Sequence, residues 1–178
     1  MKKLLYILIF LLASTAGGQT IKARIAKFDL AKYYSVFYLP TSKTTEIHSP
    51  PGDAKWWTPE AHRMMSTWME MNFPGTEPKG NATLDLVLDS LSFTEYYKTD
   101  HHLTLVVDSK PVDIGNGSRV VIKGMLYDFE ETMTYRLTAD QIAALAKAKT
   151  VTLRIEKFEG DLDQPAVTTF RNMISLLN

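Results

Sequence analysis

The chain has 178 residues, with 20 basic and 20 acidic side chains and no cysteine. This length suits one domain with a sizeable hydrophobic core. The lack of cysteine excludes disulfides, thiolate metal sites, a cysteine nucleophile and an anchor attached through an acylated cysteine. The balanced charge, without a basic stripe, argues against nucleic-acid binding.

The N-terminal 18 residues are predicted to be a secretory signal peptide. Two lysines precede the apolar run Leu4–Leu12, and small residues follow up to Gly18, which is the order of charged, apolar and small residues in such peptides. The apolar run is too short to span a membrane. We expect cleavage ahead of Gln19, with a cut after Ala16 as the alternative.

Residues 19–178 are therefore expected to form a single exported domain in the periplasm or outside the cell, with neither a membrane span nor a lipid anchor. Its first predicted strands cover residues 21–30 and 33–39, which are rich in β-branched and aromatic side chains. Pro40 then opens a polar stretch with the composition of a loop, which extends to Gly52.

A helix is predicted over residues 59–72, inside a Met- and Trp-rich helical insert at about 48–79. Thr58, Pro59 and Glu60 are typical helix-start residues. On a helical wheel the apolar side chains form one continuous arc. The members of this arc are Ala61, Met64, Met65, Trp68, Met69 and Met71.

Three strands are predicted in the middle of the chain. Residues 84–93 have apolar side chains on both faces, which favours a central strand covered on both sides. Strands near 103–107 and 120–127 follow, separated by turns at 108–111 and 114–118.

The C-terminal part predicts a strand, a capped helix, a second strand and a last helix. Alternating apolar residues define strands at 132–137 and 151–155. Thr138 and Gln141 have the spacing of a capping box and predict a helix at 139–149. Pro165 fits the first turn of a helix at 165–177, whose apolar stripe includes Phe170 and Ile174.

The predicted fold class is mainly β, of the α+β type. About seven to eight strands should form an antiparallel β-sandwich or a curved sheet. Helices near 59–72, 139–149 and 165–177 should cover it.

The chain resembles uncharacterised bacterial extracytoplasmic β-rich domains of unknown function. The resemblance is carried by LTADQIAALAKAK within Glu130–Ile155, followed by FRNMI, and by LTLVVDSKPV at Leu103–Val112 and FDLAKYYSVF at Phe28–Phe37. It implies a similar fold and an extracytoplasmic location, and it brings no catalytic motif. Residues 48–79 depart from the pattern.

Trp56 and Trp57 are the candidate ligand-binding residues. They lie beside Lys55 in a proline-rich segment and form a possible aromatic platform for a saccharide or a protein partner. The alternative is that both fold under the loop and seal the edge of the core, since tryptophan is usually well buried.

The methionines of the predicted helix, with His48 and His62, raise the possibility of a Cu(I) site, because thioethers and imidazoles suit that ion. Core packing explains the same methionines without a ligand. We therefore predict no metal site and no cofactor.

Catalysis has little support in the sequence. Asp85, Asp89 and Asp108 are candidate paired acids, but nothing in the sequence brings them together. His101 and His102 are adjacent, and neighbouring residues of a strand point to opposite faces. No catalytic residue is predicted. The expected function is an exported, non-catalytic binding or structural component of the bacterial cell envelope; the alternatives are a small envelope enzyme acting on saccharide or peptide, and a periplasmic copper-handling protein.

Overall fold

The computed structural model describes residues 34–53, 64–76, 78, 81–99, 101–124, 128–156 and 158–177. In this part of the chain the fold is mainly β, with two antiparallel sheets and two helices. The predicted β-rich α+β fold class is confirmed.

A seven-stranded sheet and a four-stranded sheet contain all the strands of the described residues. The large sheet consists of β1 (Ser35–Leu39), β2 (Thr44–His48), β3 (Gly52–Asp53), β4 (Met64–Pro74), β5 (Thr83–Ser92), β8 (Ser118–Ile122) and β9 (Phe129–Arg136). The small sheet consists of β6 (His102–Val107), β7 (Lys110–Asn116), β10 (Val151–Ile155) and β11 (Phe158–Asp161). The helices are α1 (Ala139–Leu145) and α2 (Gln164–Ser175).

Every strand pair in both sheets is antiparallel. The large sheet has the order β1-β2-β4-β5-β9-β8, and β3 pairs with β4 beside β2. The small sheet has the order β11-β10-β6-β7. Since β6 and β7 lie between β5 and β9 in the chain, the two sheets are interleaved in sequence.

The two faces of the large sheet differ in composition. Met69, Leu86 and Tyr135 stand side by side on β4, β5 and β9, and all three are buried. We call their side the inner face. Trp68 and Val87 lie in register on the opposite side, which we call the outer face. The period of two along each strand therefore separates the core from a more polar surface.

The core lies between the inner face, the small sheet and the helices. The predicted apolar positions of β9 and β10 are buried, including Met133 and Leu153. In α2, Val167, Phe170 and Ile174 face the core as predicted, and Asp163 caps the helix by accepting a hydrogen bond from the backbone of Ala166 at 2.8 Å.

The capping box of α1 is confirmed. The Thr138 backbone donates to the Gln141 side chain at 2.7 Å, and the Gln141 backbone donates to the Thr138 hydroxyl. The helix ends at Leu145, which is earlier than the predicted residue 149, and Leu145 is its buried residue.

The prediction of a helix at 59–72 is wrong for residues 64–72, because β4 occupies Met64–Pro74. The sequence there fits two periods. Its helical arc competes with an alternation in which Met65, Thr67, Met69, Met71 and Phe73 are all buried. Cross-strand pairing with β5 from Met64 to Asn72 favours the strand. Within the predicted helical insert at about 48–79, residues 64–74 are therefore an inner strand of the large sheet, and residues 54–63 lie outside the described residues.

Several short strands replace predicted loops and turns. β2 lies within the predicted loop at 40–52, β7 covers the predicted turn at 114–118 up to Asn116, and β11 lies between the predicted strand at 151–155 and the predicted helix at 165–177. These strands are short or largely polar, so their own composition gives no strand signal. Pairing with β1, β4, β6 and β10 defines them.

Candidate binding surface on the outer face

Large exposed apolar side chains concentrate on the outer face of the large sheet. Phe37 and Leu39 of β1 are 48% and 40% exposed, and Val120 and Ile122 of β8 are 59% and 52% exposed. Within the described residues, Phe93 is the one other large apolar side chain that is exposed. β1 and β8 are the two edge strands of the sheet. The apolar surface therefore lies at the two ends of the outer face.

Trp68 lies near the middle of the outer face. Its indole N–H donates to the Glu70 carboxylate at 2.9 Å, and the side chain is half-buried. In register it stands next to Val87, which is buried and is followed across the sheet by Thr134. The helical wheel placed Trp68 among the methionines, whereas the strand places it on the face opposite to Met65, Met69 and Met71.

An ion pair fixes the polar part of the same face. Asp85 of β5 is 5% exposed and accepts two hydrogen bonds from the guanidinium of Arg136 on β9, from Nε and, at 3.0 Å, from Nη2. Two donors on one carboxylate make a bidentate pair, which is the stronger arrangement for arginine and a carboxylate. Both carboxylate oxygens of Asp85 are therefore already bound by Arg136 of the neighbouring strand.

Asp89 occupies the next polar position of β5 on the outer face. Thr132 donates to its carboxylate at 2.9 Å. Burial raises the pKa of Asp89 above its ordinary value, the Thr132 hydrogen bond opposes that effect, and the charge of Glu130 adds to it. The neutral form is therefore easier to reach here than in water.

The β1 end of the outer face carries aromatic and acidic groups. The rings of Phe37 and His48 meet edge to face, with centroids 5.3 Å apart. His48 Nε2 also lies 3.8 Å from the carboxylate of Glu46. This end combines an exposed phenyl ring with an imidazole and a carboxylate.

The inner face beneath β8 contains a buried charged cluster. Glu131 is fully buried, and Arg119 donates to its Oε1 from Nη2 at 2.7 Å and from Nε at 3.2 Å. The backbone N–H groups of Tyr96 and Tyr97 donate to the same carboxylate at 2.8 and 2.9 Å. Arg119 also binds Glu95 at 2.7 Å. The cluster therefore joins β8 and β9 to the segment after β5.

The predicted ligand-binding residues Trp56 and Trp57 lie outside the described residues, as do the predicted signal peptide and His62. The structure does describe two parts of the copper hypothesis. Met69 and Met71 are buried on the inner face of β4, whereas His48 lies on the outer face. The sheet separates these thioethers from this imidazole.

The candidate acids are also dispersed. Asp85 and Asp89 are four residues apart on one strand, which places them about 13 Å apart along it. Paired glycosidase carboxylates are about 5–9.5 Å apart. Asp108 lies in the turn between β6 and β7, where it accepts hydrogen bonds from the backbone of Lys149 and Thr150, each at 2.9 Å. These three carboxylates do not form one site.

The adjacent histidines have separate partners. His101 Nε2 lies 3.0 Å from the carbonyl oxygen of Gly117, and His102 Nε2 lies 2.7 Å from the carboxylate of Asp113. The prediction that they cannot face one centre agrees with these contacts. Within the described residues, no group of three potential His, Asp or Glu ligands is placed to hold a metal ion.

No protein-family model, curated protein or solved structure matches this chain. Its functional assignment therefore rests on its own surface. The described helices include none that is long and apolar enough to cross a membrane.

Sequence reasoning missed the exposed apolar side chains of β1 and β8, since β8 was predicted only as part of a strand near 120–127 and no sheet order was assigned. The signal that was available is the period of two in Ser118–Ile122, which puts Val120 and Ile122 on one side. Whether these two side chains are exposed depends on the position of β8 in the sheet, where it is an edge strand paired with β9.

Proposed function

We propose that the protein is an exported, non-catalytic binding or structural component of the bacterial cell envelope, and that it binds through the outer face of its large sheet. The observation that supports this proposal most directly is the grouping of Phe37, Leu39, Val120 and Ile122 on the two edge strands of that face. Exposed apolar groups that lie next to each other, as Phe37 and Leu39 do on β1 and Val120 and Ile122 do on β8, mark interaction surfaces.

The edges add a second source of affinity. An edge strand has hydrogen-bonding groups on its free side that an added strand can pair with, while its alternate side chains supply specificity. In the described residues β1 pairs only with β2, and β8 pairs only with β9. A partner protein that presents an extended segment suits this geometry.

The export part of the proposal rests on the N-terminal sequence and on the resemblance given above. Lys2, Lys3 and the apolar run Leu4–Leu12 provide the export signal. A cysteine-free chain also folds without any disulfide step in an oxidising compartment. The mass of the protein recovered from the periplasm or medium tests this part, with an N-terminus at Gln19 as the expected result.

Site-specific photo-crosslinking in the producing cell tests the binding part. A photoreactive amino acid at Phe37 or at Val120 should give defined crosslinked products. The matched control positions are Thr168 on α2 and Arg154 on β10, which are also exposed but lie away from the outer face. Those positions should give no product or a different one.

Two results would contradict the proposal. Recovery of the unprocessed chain in the cytoplasm would refute export. Equal crosslinking at the outer-face and control positions would refute a binding role for the outer face.

A further inference from the structure

We propose that β8 is a self-association edge, at which two copies of this chain pair their β8 strands antiparallel about a two-fold axis through Val120. This inference deepens the proposed binding function and rests on it. It names one partner for one edge, namely a second copy.

The first argument is the charge of the strand. Its one ionic side chain, Arg119, points to the inner face and is held there by Glu131 and Glu95, both at 2.7 Å. Edge strands of monomeric proteins are commonly protected by exposed charge or by proline. β8, with the sequence SRVVI, shows neither protection, because its single charge is satisfied within its own copy.

The other edges provide the contrast. β7 contains Lys110, Pro111 and Asp113, so two copies paired about the middle of β7 would bring Asp113 directly opposite itself. β11 contains two acidic residues among four. Like charges directly opposite each other destabilise a strand pair. Both edges of the small sheet therefore disfavour self-pairing, and β8 does not.

The second argument is the register. Val120 is the middle residue of the five in β8. A two-fold axis at Val120 pairs all five residues, with Val120 opposite Val120 of the second copy and Ser118 opposite Ile122. Because all of these lie on the outer face, the Val120 and Ile122 side chains of both copies form one continuous apolar cluster. Arg119 falls opposite Val121 on the inner face, so the two guanidinium groups are not paired.

The third argument is the direction of pairing. Each neighbouring pair in the large sheet is antiparallel, and a two-fold axis perpendicular to a sheet generates an antiparallel pair. The junction therefore extends the existing pattern. β1 is also uncharged, but the ring of its middle residue, Phe37, already packs edge to face against His48 of β2, so we assign the junction to β8.

The size of the junction sets its strength. Five residues on each side bury far less than the roughly 1,200–2,000 Å² of a stable interface. The expected product is a reversible dimer that appears at high protein concentration. A high local concentration of the protein would favour the dimer further.

Cysteine crosslinking tests the register directly, since the chain has no cysteine of its own. Paired residues of an antiparallel ladder have Cα atoms about 4.5–5.5 Å apart, which a disulfide can bridge. Val120→Cys should therefore form a disulfide dimer under mild oxidation. Ser118→Cys and Ile122→Cys should each form little dimer alone, and a mixture of the two should form it readily.

Sedimentation velocity with charged variants tests the equilibrium. Purified wild-type protein should shift from monomer towards dimer as its concentration rises, and Val120→Lys should weaken this self-association at least tenfold. Val120→Glu should do the same, whereas an equimolar mixture of Val120→Lys and Val120→Glu should restore the dimer. Thr168→Lys on α2 is the matched control and should associate like wild type.

The outcomes separate this inference from the proposed function. A monomer at all concentrations, with no disulfide from Val120→Cys, would overturn the dimer. If crosslinking in the cell still joins Val120 to a different protein, the dimer is wrong and the binding function stands. If Val120 and Phe37 give no specific product in the cell either, both proposals fail. Circular dichroism confirms that each variant is folded, which we expect because Val120 is 59% exposed.

Discussion

Substitution of Glu131 by glutamine should destabilise the fold strongly without removing any apolar contact. Glu131 is fully buried and accepts hydrogen bonds from Arg119 and from the backbones of Tyr96 and Tyr97. Glutamine keeps the shape and one carbonyl acceptor, but it removes the negative charge. Its amide group also faces N–H donors where an acceptor is needed.

The magnitude follows from the partners that remain. Breaking a buried ion pair by removing one partner costs about 3–5 kcal/mol, because the other charge stays buried. Arg119 is 15% exposed and keeps Glu95 at 2.7 Å, so we expect the lower end, about 3 kcal/mol. For a domain of this size, 1 kcal/mol shifts the melting temperature by about 2–4 °C. The expected fall is therefore about 6–12 °C.

Chemical and thermal denaturation followed by circular dichroism measure this effect. Glu130→Gln is the matched control, since Glu130 is the next residue on β9 and lies on the outer face. Its removal should change the free energy of unfolding by less than about 0.5 kcal/mol, because surface substitutions usually do so. A loss below about 1 kcal/mol for Glu131→Gln would refute the reasoning.

A double-mutant cycle shows whether the charge is the cause. Arg119→Met removes the cation that loses its buried partner in Glu131→Gln. The double variant should therefore lose less stability than the sum of the two single variants, with a coupling free energy above about 1 kcal/mol. Additive losses would mean that the two side chains act independently.

Three further predictions concern other parts of the fold. Hydrogen bonds from the backbones of Thr150 and Lys149 lower the pKa of Asp108 in the folded protein. The stability that Asp108 contributes is therefore fully present above its unfolded pKa, about 4, and is lost as the pH falls through its folded pKa. Asp108→Asn should lower the melting temperature at pH 7 and make the melting temperature fall less steeply in acid. Ser109→Gly should raise the free energy of unfolding by about 1 kcal/mol, because Ser109 has φ = 68° and glycine adopts this conformation without strain; an unchanged urea midpoint would contradict this. Gly52→Ala should cost about 1–3 kcal/mol, because a Cβ at Gly52 would collide with the Cβ of Ala166 on α2; a melting temperature equal to that of wild type would show that α2 moves aside.

The C-terminal elements could be predicted from sequence because each has a local signal. Thr138 and Gln141 form the predicted capping box, and Val151, Leu153 and Ile155 form the predicted buried side of a strand. Such signals depend on residues within one turn or one strand, so no knowledge of distant neighbours is required.

The prediction for β4 failed because its sequence fits both the helical period and the period of two of a strand, and pairing with β5 decides between them. Thr67 is fully buried and donates to the backbone oxygen of Val87 at 2.9 Å. From sequence alone this polar residue interrupts the alternation of apolar side chains. The hydrogen bond to β5 that satisfies its hydroxyl comes from 20 residues away, so the local pattern favoured a helix.

The Glu131 cluster and the exposed edges were beyond sequence reasoning for the same reason. Glu131 precedes the predicted strand at 132–137, and its partners Arg119, Tyr96 and Tyr97 lie 12 to 35 residues away in the chain. Val120 is exposed because β8 ends the sheet, which is a property of strand order. The predicted platform at Trp56 and Trp57 stays a prediction.

The interleaving of the two sheets has a consequence for how the chain folds. β5 can pair with β9 only after β6, β7 and β8 have been synthesised. The Asp85–Arg136 ion pair between β5 and β9 joins residues 51 positions apart. Contacts of such sequence separation slow folding, because a long loop must close first. During synthesis from the N-terminus, one side of β5 therefore has no partner strand until β9 is complete at Arg136, so the large sheet can be completed only when most of the chain has been made.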